Sequence, residues 1–167
     1  QVRNAGPQVR GYVLTPLDCH KRFYRDVEHV QLRPDAFVGQ LNRLVASGEC
    51  RWLMLVEAGD CLTASGLLIS TLELLGDPDC RAVFGDAMVQ EYGDVLSPVL
   101  RPDFNLDFVL SFPGLMARNW LYRCDAVVES GGFNPQYGVA LELDLILRMI
   151  NQQGMLGFGH LSEPLVI

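Results

Sequence analysis

The feature that most constrains the fold is an unbroken apolar run, "WLMLV" at 52–56, set between two segments of helical pattern. A run this short, apolar at every position, suits a strand covered on both faces rather than one with a solvated side. Before it, "RPDAFVGQLNRLVASGE" places Phe37, Leu41, Leu44 and Val45 at helical spacing, with Pro34 suited to the first turn and Gly48 to the C-terminal cap. After it, "TASGLLISTLELLG" offers Thr63 as N-cap, Gly76 as the end, and Leu67, Leu68, Thr71, Leu72 and Leu75 as the buried side. "RAVFGD" (81–86) is the next strand and "GYVLT" (11–15) an earlier one, with a short strand at 29–32. Strand, helix, strand, helix, strand is the order of a parallel α/β sheet flanked by helices.

The rhythm then changes. "AMVQEYGDVLSPVL" reads as a hairpin around Tyr92-Gly93-Asp94, and 114–122 as a further strand. "RCDAVVESGGF" reads as a short helix ended by Gly131, and "ALELDLILRMINQQG" as a longer one ended by Gly154. "GHLSEPLVI" closes the chain as an extended segment. The 167 residues are expected to form one domain, 1–167. The first residue is Gln1 and the last stretch stops inside a strand-like run, so the chain is expected to be a piece of a longer polypeptide whose other domains are candidate partners.

Composition narrows the function classes. A formal net charge of −7 without a basic segment argues against nucleic acid, which needs clustered Lys and Arg to meet phosphates. Five cysteines, an odd number without Cys-x-x-Cys spacing, argue against a disulfide framework and a structural zinc site. They read as small buried apolar residues, and a reducing, cytoplasmic compartment is expected. No apolar run reaches the ~18 residues of a membrane span.

Two acidic stretches carry candidate chemistry. In "VEAGD", Glu57 and Asp60 follow the apolar strand with Ala58 and Gly59 between them. Ligands of open α/β sheets bind beyond the carboxyl ends of strands. Two carboxylates on one turn can share a hard cation such as Mg²⁺ or Mn²⁺, and Gly59 lets the backbone turn sharply. A plain solvated turn is the other reading. In "LELD", Asp144 and Arg148 are four apart and read as an ion pair. Glu142 has no such partner and sits in the first helical turn, where the dipole favours an anion. It reads either as a helix-start charge or as a base toward a hydroxyl.

Taken together, "LNRLVASGECRWLMLVEAGD", "LLGDPDCRAVFGD", "SPVLRPDFNLDFVLS", "SGGFNPQY" and "ELDLILRMINQQG" resemble the family-2-type glycosyltransferases of the GT-A fold, from about Gln40 to Pro164. The resemblance implies an α/β domain with a GT-A-like, mostly parallel sheet and inverting transfer of a sugar from a nucleotide-sugar donor to a carbohydrate or other hydroxyl acceptor. It implies Asp60 and Glu57 as metal-binding residues, Glu142 as the catalytic base, and Asp86 as an acidic strand-end residue on the acceptor side. It also implies that Gly131-Gly132-Phe133 lines the acceptor region and that Asp144 belongs to the family's "DLxLR" run. His160 falls in a late segment where the family sometimes has a metal ligand, although a strand or loop histidine is the plainer reading.

The chain also departs from the family pattern. "EAGD" stands where Asp-x-Asp is common, and Glu142 where an Asp is common. Only 50 residues precede the metal-motif strand, so about one of the family's two nucleoside-binding βα units is missing or reduced. Asp18 is the remaining candidate for a nucleoside contact. These departures motivate an alternative: a module of the same fold that has lost catalysis and serves as a scaffold or partner-binding domain. Trp120, after Arg118 and Asn119, reads as a core or interface residue.

Overall fold

The computed structural model describes residues 10–16 and 27–167. Asp18, Cys19 and His20 therefore lie outside the described residues. The chain is an α/β protein built on a five-stranded mixed sheet with helices on both faces. Two N-terminal strands, β1 (Gly11–Pro16) and β2 (Val27–Leu32), form a separate parallel pair.

A 3₁₀ turn at Pro34–Ala36 opens helix α1 (Phe37–Ala46), which buries Leu41 and Val45 and leads to Gly48 at φ 72°. Strand β3 (Trp52–Met54) is shorter than the apolar run that contains it. It pairs on one side only, with β6 (Leu121–Arg123), and is half-buried on both faces, Leu53 packing against one core cluster and Trp52 and Met54 against the other. Helix α2 (Ala64–Gly76) starts at Thr63, whose hydroxyl oxygen accepts from the Gly66 N–H. Of the residues expected inward, Leu68 is 62% exposed, and among the described side chains of the helix Leu74 is a buried leucine. The side chains of Leu67, Thr71, Leu72 and Leu75 lie outside what is described. Gly66 sits against strand β7 (Phe158–Val166), where an added Cβ would meet the Pro164 carbonyl oxygen at 2.4 Å.

Strand β4 (Ala82–Gln90) turns through Tyr92-Gly93-Asp94 into β5 (Leu96–Val99), as the sequence predicts. Gly93 and Asp94 both have positive φ, 72° and 63°, the backbone such tight turns require. The segment expected as a strand at 114–122 is instead mostly irregular. Helix α3 (Leu106–Ser111) lies just ahead of it, helix α4 (Pro113–Met116) overlaps its start, and the chain becomes extended only at β6. Helix α5 (Cys124–Glu129), a 3₁₀ segment (Pro135–Ala140) and helix α6 (Leu141–Gln153) then lead to β7.

The sheet is mixed rather than mostly parallel. Strand β6 lies between β3 and β4 and runs antiparallel to both, while β4 and β7 are parallel. The long irregular connection from 100 to 120 lets β6 enter from the opposite end, and a tight hairpin makes β5 antiparallel to β4. Strand alternation sorts the core by face. Ala82, Phe84 and Tyr122 pack with residues of α1, α5 and α6, whereas Val83, Ala87, Leu161 and Leu165 pack with Leu74 of α2.

Polar anchors fix the helical layer. Buried Arg81 donates to the carbonyls of Met149, Gly154 and Leu156 and to the Gln153 side chain, tying the C-terminal end of α6 to the segment that follows it. Its guanidinium also lies 4.8 Å over the Phe158 ring. The Asn42 amide donates to the Phe133 carbonyl at 2.9 Å and accepts from the Phe133 N–H at 2.7 Å, so α1 holds the turn after α5. Gly132 in that turn has φ 74°, and an added Cβ would lie 2.8 Å from Asn42 Oδ1. Replacing Asn42 with Ala leaves both Phe133 groups without their partner. The expected loss is about 1–3 kcal/mol of stability, read as a lower denaturant midpoint with an unchanged slope.

Candidate active site

The turn after β3 closes on itself. The Asp60 N–H donates to the Glu57 carbonyl at 3.1 Å, and the Glu57 N–H donates to Asp60 Oδ2 at 3.0 Å. Gly59, at φ 114°, supplies the sharp bend expected of it. The Asp60 carboxylate therefore points back over the end of β3. There it also accepts from Asn119 Nδ2, at 3.2 Å.

Asn119 is the joint of the site. It has φ 58°, a left-handed conformation that Asn tolerates better than most residues, and it is 6% exposed. Its side-chain amide donates to the Leu55 carbonyl as well as to Asp60, and its backbone N–H donates to Glu142 Oε1 at 3.2 Å. One residue thus touches both carboxylates. Glu142 also accepts from the Trp120 N–H at 3.4 Å and from the Tyr122 hydroxyl at 2.9 Å. Trp120 itself is fully buried, its indole N–H donating to the Met116 carbonyl, in keeping with a core role.

Burial pushes the Glu142 carboxyl up to about 7, against the opposing pull of the Tyr122, Trp120 and Asn119 hydrogen bonds and the Arg101 charge. The helix start therefore does not keep this group fully ionised. Desolvation outweighs the dipole, and near neutral pH the carboxyl divides between its two protonation states. The same contact, together with burial, holds the Tyr122 hydroxyl well above its ordinary value.

Cationic groups border the pair. Arg118 lies 3.3 Å from the exposed carboxylate of Glu57. Arg101 is buried and donates through Nη1 to the Arg118 carbonyl, while its Nε has no hydrogen-bond partner. Burial lowers its pKa, and the charges of Glu142 and Asp86 oppose that shift. The Arg101 N–H donates to Asp86 Oδ1 at 2.8 Å. Asp86 is not at a strand end, since β4 continues past it to Gln90. Its Oδ1 also lies 3.2 Å from His160 Nε2, and His160 Nδ1 lies 3.3 Å from Asp103. The His160 ring stacks on Phe84 at 4.9 Å between centroids.

Asp60, Glu57, Glu142 and Asp86 thus share one connected polar network. Asp144 and the glycine turn belong to another. Arg148 pairs with Asp144 at 2.7 Å, as the spacing predicts, and donates to the carbonyls of Ser130 and Gly132. Gly131 and Gly132 are therefore held by Arg148 and Asn42. Their link to Glu142 runs through Phe133, whose ring meets Tyr122 edge-on at 6.2 Å. Sequence reasoning did not assign roles to Asn119, Tyr122 or Arg101. A polar residue directly before "WLY" was the available signal for the first.

Among the described residues, no three His, Cys, Asp or Glu side chains gather as a metal-binding group. The donors on offer are the Asp60 and Glu57 carboxylates, one bound by Asn119 and the other facing Arg118. Carboxylate oxygens are the donor type that a hard cation such as Mg²⁺ takes. No protein-family model matches the sequence, and no curated protein matches it. Among the described residues no helix is long and apolar enough to cross a membrane.

The raised Glu142 pKa has a stability consequence. A carboxyl shifted upward on folding favours the protonated native state. Its contribution is full below about 4.5, the ordinary carboxyl value, and is lost as pH rises through about 7. Wild type should therefore lose about 1–3 kcal/mol relative to Glu142→Gln between pH 4.5 and 8.5, measured by urea denaturation of both proteins at each pH.

Proposed function

We propose that this chain is a glycosyltransferase domain that transfers a sugar, with inversion, from a nucleotide-sugar to an acceptor hydroxyl. The observation that carries the reading is the placement of Asn119, bonded at once to Asp60 and to Glu142. Two carboxylates more than 80 positions apart in sequence are thereby joined through one residue, which supports a shared site.

Glu142, with its carboxyl near 7, is poised as a general base. In the reaction the acceptor oxygen attacks the anomeric carbon as its proton passes to a Glu142 oxygen. The bond from that carbon to the diphosphate breaks, and the nucleoside diphosphate leaves with the electron pair. The Tyr122 hydroxyl and the Asn119 and Trp120 N–H groups orient the carboxylate, and Arg101 favours its ionised form. Asp60 and Glu57 would hold a divalent cation, Mg²⁺ or Mn²⁺, which when bound offsets negative charge on a diphosphate. Arg118 lies beside the Glu57 carboxylate.

A second reading is a catalytically inactive module of this kind that serves as a scaffold or binds a partner. The contact of Glu57 with Arg118 favours it, because it occupies one of the two carboxylates a cation would need. The same experiment separates the readings. Under the catalytic reading, nucleoside diphosphate binds in the presence of Mn²⁺ at millimolar concentration or below, and sugar is released from a nucleotide donor. Asp60→Ala abolishes the release. Glu142→Gln lowers the rate by about 10²–10⁴-fold while nucleotide still binds. The wild-type rate rises with pH through about 7, since the base must be deprotonated. Failure of every nucleoside diphosphate to bind leaves the scaffold reading in its place.

A further inference from the structure

At the other end of the β3–β6 pair, two thiols are in contact. Cys50 lies two residues before β3 and Cys124 directly follows β6. The ladder extends past its last strand pair, Trp52 with Arg123, because the Cys124 N–H donates to the Arg51 carbonyl at 2.9 Å. Cys124 thus sits opposite Arg51, one residue from Cys50. The sulfurs are 3.4 Å apart, and both cysteines are free. They line an open cavity of about 340 Å³ together with Val45, Arg51, Asp125 and Val128. Neither Glu142 nor Asp60 belongs to that cavity. Cys124 is buried, whereas Cys50 is partly exposed.

We propose that Cys50 and Cys124 form a redox-active dithiol, oxidised to a disulfide by low-molecular-weight disulfides that enter this cavity. Cys50, the more accessible sulfur, attacks as a thiolate. The external disulfide bond breaks, one external thiolate leaves, and the other half stays on Cys50 as a mixed disulfide. Cys124 then gives up its proton and attacks the Cys50 sulfur, expelling the second external thiolate. Two protein thiols are oxidised to one disulfide, the external disulfide is reduced to two thiols, and those thiols carry away both protons. Burial, and then the Cys50 contact, push the Cys124 thiol up to about 12, so the second step quickens with pH. The cysteines are thus more than the small apolar packing residues that their sequence context suggests. The bond would staple together the ends of the two strands whose opposite ends carry Asp60 and Asn119. It does not depend on the proposed catalytic activity.

The test exposes the full chain to oxidised glutathione at pH 8.5, blocks remaining thiols with iodoacetamide and maps the peptides by mass. The expected product is a peptide pair joined through Cys50 and Cys124, two hydrogen masses below the sum of its parts, with loss of both free thiols and full recovery on reduction. Cys124→Ser should stall as a glutathione adduct on Cys50. Wild type in which Cys50 keeps its glutathione while Cys124 is alkylated overturns the proposal, and so does recovery of both as free thiols. The wild-type map decides the matter even if the variant does not fold.

Discussion

The site depends on how the chain enters β6. Asn119, in a left-handed conformation, turns the backbone so that its own N–H and that of Trp120 face Glu142 while its side chain reaches the end of β3. A residue with a β-branched or bulky apolar side chain could not adopt that backbone cheaply, and no apolar residue could supply the amide. Two residues further on, the Tyr122 hydroxyl completes the support of the same carboxylate. The position of Glu142 is thus set from β6 and not by its own helix, which starts without a side-chain cap.

Antiparallel insertion of β6 makes this possible. Because it runs against both β3 and β4, its beginning lies at the same edge of the sheet as the end of β3. The carboxylates at the end of β3 and the N–H groups at the start of β6 are thereby brought together. A β6 parallel to its neighbours would place Asn119 at the far end of the sheet from Asp60.

Much of this was legible in the sequence, and the parts that were not share a cause. Helices α1 and α6 carry clear apolar periodicity, and the hairpin carries its turn residues, so local pattern was enough. The closed Glu57–Asp60 turn was legible from Gly59, and the Asp144–Arg148 pair from its spacing. The direction of β6 was not, because a three-residue strand shows no period and pairing partners are set by contacts distant in sequence. The inward face of α2 was poorly marked because that helix is apolar on most sides, which leaves its orientation to packing on β7. Arg101 looked like an ordinary loop polar and Asn119 like a polar position on a strand, since burial cannot be read from an isolated polar residue. The state of Glu142 was misjudged for the same reason: the helix start was visible, but the desolvation that outweighs it was not.

Arg81 deserves a last consideration for what it does at a distance. Its five donor contacts seize the trailing end of α6, while Glu142 is gripped near the leading end by β6. A rod clamped at both tips can neither slide along its axis nor roll. The β6 contacts aim the carboxylate, and the second fixing some ten residues away keeps the helix from carrying it out of their reach.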